Sequence, residues 1–286
     1  MKQGFPRIAI VLAGGWGSRM LPFSKRVPKE MLPINGVPAI QLVVEECVAA
    51  GFREVLVISR PGDRIVREHL CEPASHGPFA SGPLAALDPV RTWPGDLRLE
   101  VIEETPSPRY GSAAPLFQLR DRLAGEPCFA VAFADDVVRG GPPAIHEVAE
   151  AFVEHAALAA VACQVRPRTD IAGRFGNLVT ADPPARGGRV VAVSDLLQRP
   201  ALRDVRSELA VVSRLILTPA IYDALSELPA AAELDIGLAV GVLARRRAAA
   251  RGAGVVGVAL RGSWYTVGDP ASYARAVAAG HEEHAP

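Results

Sequence analysis

The chain has 286 residues, enough to bury a core of its own as one large α/β domain or as two small ones. Its 31 basic and 31 acidic residues give a formal charge of zero, which excludes a general attraction to nucleic acid or to an anionic membrane, so any anion site is local. The four cysteines are far apart and show no C-x-x-C spacing, so we expect free, mostly buried thiols and no zinc site. The short apolar run near the start is broken by glycines and predicts neither a membrane span nor a signal peptide; we expect a cytoplasmic protein.

The first half of the chain alternates strands with helices. The apolar run Ile8–Ala13, bounded by Pro6 and by a glycine-rich turn, is typical of a strand buried on both faces of a parallel sheet. A helix at 39–50 and a strand at Glu54–Ser59 complete a right-handed βαβ unit. The alternation continues with helices at 64–70 and 112–123, strands at 97–103 and 128–134, and a Pro/Gly-rich connection that ends near residue 95. This order predicts an α/β fold with a doubly wound, Rossmann-like sheet.

Beyond Pro142 the order changes. A helix to His155 is followed by four strands with no helix between them, at 158–165, Gly176–Thr180, 189–195 and Leu209–Leu217. Helices at 219–227 and 234–251 come next. Successive strands predict a mixed sheet and a smaller subregion that closes over one edge of the first half. We therefore expect one elaborated domain over 1–286, with halves of about 1–140 and about 141–286.

The most informative segment is a glycine-rich turn at the carboxyl end of the first strand, where open α/β sheets bind ligands. Gly14 and Gly15 let the backbone approach phosphate oxygens, and successive N–H groups form an anion cradle. The segment has neither the Lys-Ser/Thr ending of a P-loop nor the G-x-G-x-x-G order of a dinucleotide fold. A glycine turn alone is often only structural, but Arg19 follows at a position from which its guanidinium can clamp phosphates.

Residues 14–22 (GGWGSRMLP) and 25–33 (KRVPKEMLP) together resemble the amino-terminal signature of the sugar-1-phosphate nucleotidylyltransferases. Within that family the segment most resembles the bacterial UTP:glucose-1-phosphate uridylyltransferases, and the similarity continues more weakly to about Ala279. Only three of the 31 basic residues are lysines, and two of them, Lys25 and Lys29, fall inside the signature. Chance clustering is the alternative explanation for that placement.

The resemblance implies the fold of the nucleotide-diphospho-sugar transferases, with a smaller sugar-binding subregion, and attack of a sugar 1-phosphate on the α-phosphorus of a nucleoside triphosphate. By the same resemblance, Arg19 holds the leaving pyrophosphate, Lys29 bridges the reacting phosphates and Asp135 binds Mg²⁺, which prefers hard carboxylate and phosphate oxygens. An Asp135-Asp136 pair that only caps the next segment is the alternative. The implied nucleotide-binding residues are Ala13, Gly14, Gly15, Glu104 and Gly111, and the implied sugar-phosphate-binding residues are Gly176, Gln198 and Arg199. The sequence leaves open whether the protein forms a homo-oligomer.

Three positions depart from the family pattern. Glu104 stands where the relatives carry a glutamine; an ionised carboxylate only accepts hydrogen bonds, which suits guanine or cytosine better than uracil O4. Gln198 replaces the glutamate of the relatives' Val-Glu-Lys-Pro, although Arg199 keeps the positive charge for the sugar phosphate. Thr266 replaces a second metal-binding aspartate, with Asp269 nearby in the sequence.

Three functions are therefore open. The first is uridylyl transfer to glucose 1-phosphate or a near relative; the second is the same reaction with GTP, CTP, ATP or dTTP and a modified sugar or cyclitol phosphate; the third is a catalytically silent, regulatory relative. Retention of Arg19, Lys25, Lys29 and Asp135 argues against the third. The departures favour the second, unless Glu104 points to solvent or pairs with Arg109.

Overall fold

The computed structural model describes residues 4–72, 93–107, 109–180, 188–230, 233–248 and 254–282. Most of the predicted connection before residue 95 lies outside the described residues, and so do the last residues of the helix predicted at 234–251. No described helix is both long enough and apolar enough to cross a bilayer.

Strands form where apolar and β-branched residues run without interruption, as in the IAIVLA sequence of the first one. In chain order the strands are β1 Ile8–Ala13, β2 Pro33–Ile34, β3 Val37–Pro38, β4 Glu54–Ser59, β5 Arg98–Glu103, β6 Phe129–Phe133, β7 Asp136–Arg139, β8 Ala159–Val165, β9 Gly176–Thr180, β10 Val190–Gln198, β11 Leu209–Leu217, β12 Val255–Ala259 and β13 Ser263–Thr266.

Several helices begin directly after a proline, which disfavours helical geometry in the residue before it. The helix that begins at Arg64 is capped by Asp63, whose carboxylate accepts from the N–H groups of Ile65 and Val66. In chain order the helices are α1 Ala39–Ala49, α2 Arg64–Cys71, α3 Ala114–Gln118, α4 Arg120–Leu123, α5 Ala144–Glu154, α6 Arg168–Ile171, α7 Ala220–Ser226, α8 Ile236–Ala248 and α9 Pro270–Glu282.

The described residues form a nine-stranded sheet in the order β5-β4-β1-β6-β11-β8-β12-β10-β9. Its first four strands are parallel to one another. β11 then runs antiparallel to both β6 and β8, and β10 runs antiparallel to both β12 and β9. Strands from both predicted halves share this sheet, and the expected α/β fold with a doubly wound mixed sheet is confirmed.

Two apolar clusters cover the two faces of the sheet. Because side chains alternate along a strand, β1 sends Ala9 and Val11 into one cluster and Ile8 and Ile10 into the other. The first cluster contains residues of α1 and α5, and the second contains residues of α7 and α8. Burial on both faces explains why β1 and β6 are apolar throughout. The carboxyl ends of the parallel strands meet at one edge of the sheet, which leaves that edge free for a site.

Most predicted elements are observed to within a few residues, but the helix predicted at 112–123 is wrong as a single helix. Leu119 lies between α3 and α4 with φ −91° and ψ 1°, outside the helical range. The Gln118 side chain is drawn to the neighbouring backbone, where it accepts from Thr105 N at 2.9 Å and donates to Glu103 O at 2.8 Å. Tertiary hydrogen bonds thus override the local helical pattern.

The sequence pattern does not predict β2, β3, β7, β12, β13, α6 or α9. The expectation that no helix separates the strands predicted at 158–165 and Gly176–Thr180 is wrong, because α6 lies between them. The five missed strands are only two to five residues long, and β7 pairs with β13 in a separate two-stranded sheet. All four cysteines are free as expected, but Cys71 at the end of α2 is exposed whereas Cys47, Cys128 and Cys163 are buried.

A buried ion pair joins α1 to β11 directly beneath the carboxyl edge of the sheet. Arg214 is fully buried and donates to Glu46 through two nitrogens, Nε to Oε1 at 3.0 Å and Nη2 to Oε2 at 2.7 Å. The same guanidinium donates to the Asp136 carbonyl oxygen at 2.9 Å and to the Phe133 carbonyl oxygen at 3.4 Å. Arg214 therefore fixes the turn between β6 and β7.

We predict that Arg214→Met lowers the free energy of unfolding, measured in urea, by about 3 to 5 kcal/mol, because Glu46 is left buried without its partner. The double variant Glu46→Leu/Arg214→Met should recover much of this loss, since it removes both charges. Arg122→Met is the matched control: Arg122 is 32% exposed and bridges Glu54 and Glu100, so its loss should cost about 0 to 1 kcal/mol. Equal losses for the two single variants would contradict this account.

Candidate active site

A cleft of about 500 Å³ opens at the carboxyl edge of the parallel strands. It is lined by the glycine-rich turn after β1, by the ends of β5 and β6, and by residues of β9, β10 and β11 from the other half of the sheet. Every site residue predicted from the sequence lines this cleft except Ala13, which is buried as the last residue of β1. The fold thus brings together predicted residues as far apart in the chain as Gly14 and Arg199.

The glycine-rich turn packs closely on the side chains of Glu104 and Lys29. A Cβ atom at Gly14 would lie 2.5 Å from Glu104 Oε2, and one at Gly15 would lie 3.3 Å from Lys29 Cε. Gly17 has φ 62°, in the left-handed region that favours glycine, and its carbonyl oxygen accepts from Ser24 Oγ at 2.7 Å. The short 3₁₀ turn that follows carries Arg19 into the cleft.

Lys29 forms an ion pair with Asp135 at the centre of the cleft. Their side chains are only 12% and 15% exposed, and the Lys29 ammonium also lies 3.6 Å from Glu30 Oε1. Burial lowers the pKa of Lys29, but the carboxylates of Asp135 and Glu30 outweigh it and raise the pKa above its ordinary value. Lys29 is therefore a permanent cation in the cleft.

Arg19 also lies near Asp135 in the cleft. A Cβ atom at Gly268 would lie 3.3 Å from Arg19 Nη2 and 3.3 Å from Asp135 Oδ2. The glycine at position 268 therefore leaves room for the guanidinium and the carboxylate to converge. Two cations and one carboxylate in a concave site form an arrangement that suits phosphate groups.

The other acidic residues near Asp135 are held by the fold. Asp136 is buried and accepts from Ser213 Oγ at 2.5 Å and from the hydroxyl of Thr266; burial and the neighbouring Asp135 raise its pKa. Asp269 caps α9 by accepting from Ser272 N at 2.9 Å, and Arg174 lies 3.4 Å away. Asp135 therefore differs from Asp136 and Asp269 in forming an ion pair with Lys29.

At one end of the cleft, Glu104 follows β5. Its carboxylate lies against Gly14, and burial raises its pKa. Arg109, the alternative partner for Glu104, donates to the Pro229 carbonyl oxygen at 2.9 Å. Gly111 has φ 145° and packs on Leu234, whose carbonyl oxygen would be 2.2 Å from a Cβ atom there.

At the other end, Gln198 at the end of β10 pairs in register with Gly176 at the start of β9. Arg199 follows with φ 44°, an unusual backbone conformation for a residue other than glycine, and its exposed side chain lines the cleft. Phe175 packs edge to face on Trp264 with ring centroids 4.7 Å apart.

Four charged residues of the cleft are absent from the sequence-based prediction: Glu30, Arg174, Glu233 and Asp235. Glu30 lies inside the signature segment, so its charge beside Lys29 was available as a signal. Asp235 stands before α8 as a capping aspartate, which is a recognisable pattern but one that by itself points to helix structure. Arg174 has no local signal, because only the fold brings it to Asp269.

The family model described as nucleotidyl transferase matches residues 8–283. The chain belongs to this family. It is 28% identical over 206 residues to UTP–glucose-1-phosphate uridylyltransferase 2 of Staphylococcus saprophyticus, an alignment that covers 71% of this chain and 68% of the relative. It is also 28% identical over 208 residues to the UTP–glucose-1-phosphate uridylyltransferase of Bacillus subtilis, with 72% and 68% covered.

The crystal structure of a UDP-glucose pyrophosphorylase in complex with UDP-glucose has the same fold, with a TM-score of 0.79, 24% identity, and 98% of this chain and 100% of that chain covered. These findings confirm the family resemblance, the fold class and the enzyme class expected from the sequence. The protein is a nucleotidyltransferase.

Glu30 is a buried carboxyl group whose ionisation affects the stability of the fold. Burial raises its pKa from 4.5 to about 7, with Lys29 opposing and Asp135 adding to the shift, and its Oε2 has no hydrogen-bond partner among the described residues. A raised carboxyl pKa contributes stability below the unfolded pKa, and this stability is lost as pH rises through the folded pKa.

From about pH 5 to about pH 8, Glu30→Gln should therefore gain about 3 kcal/mol in free energy of unfolding relative to wild type. Urea unfolding at several pH values measures the difference. Glu154→Gln, at the exposed end of α5, is the control and should follow wild type at every pH. A constant offset between Glu30→Gln and wild type across this range would rule out the raised pKa.

Proposed function

We propose that the protein transfers a nucleotidyl group from a nucleoside triphosphate to a sugar 1-phosphate and releases pyrophosphate. The observation that carries this proposal is the convergence of Lys29, Asp135 and Arg19 in one cleft, between the glycine-rich turn and the Gln198-Arg199 end of β10. The names of the similar enzymes, which act on UTP and glucose 1-phosphate, support the same reaction class.

The proposed step is an in-line displacement. A phosphate oxygen of the sugar 1-phosphate forms a bond to the α-phosphorus, and the bond from that phosphorus to the bridging oxygen breaks as pyrophosphate leaves. Lys29 neutralises charge on the reacting phosphates, and Arg19 holds the departing pyrophosphate, while Arg199 binds the phosphate of the sugar. The contribution of the protein is position and preorganised charge, and no covalent enzyme intermediate is required.

The residues fit a divalent cation, which we propose to be Mg²⁺. Asp135 offers a hard carboxylate oxygen that faces the cleft, the kind of donor that Mg²⁺ prefers. No group of three acidic, histidine or cysteine side chains in the described part of the chain forms a metal centre of its own, so the phosphates would supply further ligands. When bound, such an ion would neutralise charge on the triphosphate.

Two substrate pairs are candidates for this reaction. Likeness to the uridylyltransferases favours UTP and glucose 1-phosphate. The carboxylate of Glu104 beside Gly14 favours a base that presents N–H donors, such as guanine, because an ionised carboxylate repels uracil O4. Incubating the enzyme and Mg²⁺ with each nucleoside triphosphate and a panel of sugar and cyclitol phosphates, with pyrophosphate and the nucleotide sugar both quantified, tests the function. No nucleotide sugar from any pair would overturn it in favour of a silent, regulatory protein.

Lys29→Ala and Arg19→Ala should each reduce kcat/KM by about 10- to 1000-fold, because each removes one charge that stabilises the transition state. Both variants should unfold in urea as cooperatively as wild type. Arg7→Ala removes a cation at the opposite end of β1, paired with Glu126, and is expected to keep full activity. If Lys29→Ala or Arg19→Ala retains near-normal turnover, the role assigned to that residue is wrong.

Glu104→Gln should shift the base preference toward UTP, since an amide both donates and accepts while the carboxylate only accepts. A mismatched hydrogen bond costs about 1 to 3 kcal/mol, which corresponds to a change of about 5- to 100-fold in relative kcat/KM. The comparison uses UTP, dTTP, GTP, CTP and ATP. Glu103→Gln is the control, because Glu103 accepts from Gly62 N at 2.8 Å and does not line the cleft. A wild type that already prefers UTP strongly, with no change in Glu104→Gln, would return the protein to ordinary uridylyl transfer.

A further inference from the structure

A hydrogen bond in the cleft joins Gln198 to a carboxylate that the reaction outlined above does not use. Gln198 Nε2 donates to Asp235 Oδ1 at 2.6 Å, and both side chains line the cleft. This hydrogen bond fixes the orientation of the Gln198 amide. The nitrogen donates to Asp235, and Oε1 remains available as an acceptor.

Asp235 is itself held in one orientation. Its Oδ1 also accepts from Leu238 N at 3.0 Å, in the first turn of α8. Its Oδ2 lies 3.4 Å from Ser112 Oγ, and that hydroxyl oxygen accepts from Ile236 N at 3.0 Å. Because Oδ1 carries two of these contacts and Oδ2 only the long one, Oδ2 keeps capacity to accept a further hydrogen bond.

Two glycines allow this arrangement. A Cβ atom at Gly237 would lie 2.0 Å from Gln198 Nε2 and 3.0 Å from Asp235 Oδ1, so any larger residue there would push the amide away from the carboxylate. A Cβ atom at Gly176 would lie 3.4 Å from Gln198 Oε1, so the glycine adds no side chain over that oxygen. Both positions leave the pair accessible from the cleft.

We propose that Asp235 determines sugar specificity, by accepting a hydrogen bond from a hydroxyl group of the sugar 1-phosphate next to the hydroxyl that the family resemblance assigns to Gln198. This inference rests on the proposed function. It predicts that the sugar of the sugar 1-phosphate is neutral and carries two adjacent free hydroxyl groups. Two acceptors side by side match two adjacent donors, whereas an acidic group at either position would face the Asp235 carboxylate and be repelled.

The test compares wild type with Asp235→Asn on a complete sugar 1-phosphate and on its analogues that each lack one hydroxyl group. The series starts from α-D-glucose 1-phosphate, or from whichever sugar gives the highest turnover. Wild type should prefer the complete sugar by about 10- to 100-fold in kcat/KM over the analogue that lacks a contacted hydroxyl. In Asp235→Asn this preference should fall to about threefold or less, with the KM for the nucleoside triphosphate unchanged.

Asparagine is as good as aspartate at the start of a helix, so this substitution should not disturb α8. Gly237→Ala is a second, independent variant, because its methyl group displaces Gln198 while Asp235 keeps its charge; it should lose the preference for the hydroxyl that Gln198 contacts. Asp195→Asn is the matched control on β10, since Asp195 pairs with Arg245 and does not line the cleft.

The outcomes separate this inference from the proposed function. If no sugar phosphate is converted by wild type, the proposed function falls and takes the inference with it. Conversion by wild type with the same hydroxyl preference in Asp235→Asn overturns the role of Asp235 alone. An equal loss of activity on every analogue also overturns it, since that pattern indicates a structural role only.

Discussion

The ion pair between Lys29 and Asp135 is the interaction on which the site depends. It joins the signature segment to the end of β6, and both charges are largely removed from water. Removing two charges from water costs several kcal/mol each, so the pair is stable only with good geometry and with further polar partners around it. The pair is surrounded by the closely packed glycine-rich turn, Glu30 and Arg19.

The layer beneath the pair explains why this geometry is held. Arg214 donates to Glu46 and to backbone carbonyl oxygens on either side of Asp135, so the turn that carries the aspartate is anchored from below. Asp136 is bound by Ser213 and Thr266 and is thereby part of the support. Because Ser213 and Thr266 hold Asp136, Asp135 is the carboxylate of this turn that faces Lys29.

The sequence predicts those residues of the site that lie close together in short segments of the chain. Gly14, Gly15, Arg19 and Lys29 lie within one signature, where strand, turn and charge follow one another locally, and the structure brings them into one cleft. Asp235 could not be predicted in this way, because its local sequence pattern is that of a helix cap. Only the tertiary contact with Gln198 indicates that it also belongs to the cleft. The same limit applies to the fold. β7 and β13 are too short to give a recognisable periodic pattern in the sequence. They are stabilised by pairing with each other, although about 120 residues separate them in the chain.

In the proposed reaction Lys29 binds substrate phosphate and Asp135 binds Mg²⁺, so the ion pair between them has to open when triphosphate and metal are both bound. Nucleoside triphosphate affinity, measured by calorimetry across a range of Mg²⁺ concentrations, tests this most directly. In wild type Mg²⁺ should tighten binding by about 5- to 150-fold, the usual size of coupling between two ligands. Asp135→Asn should lose this gain, whereas Lys29→Met should bind more weakly at every Mg²⁺ concentration and keep the gain. An Asp135→Asn variant with the full wild-type response to Mg²⁺ would contradict the account.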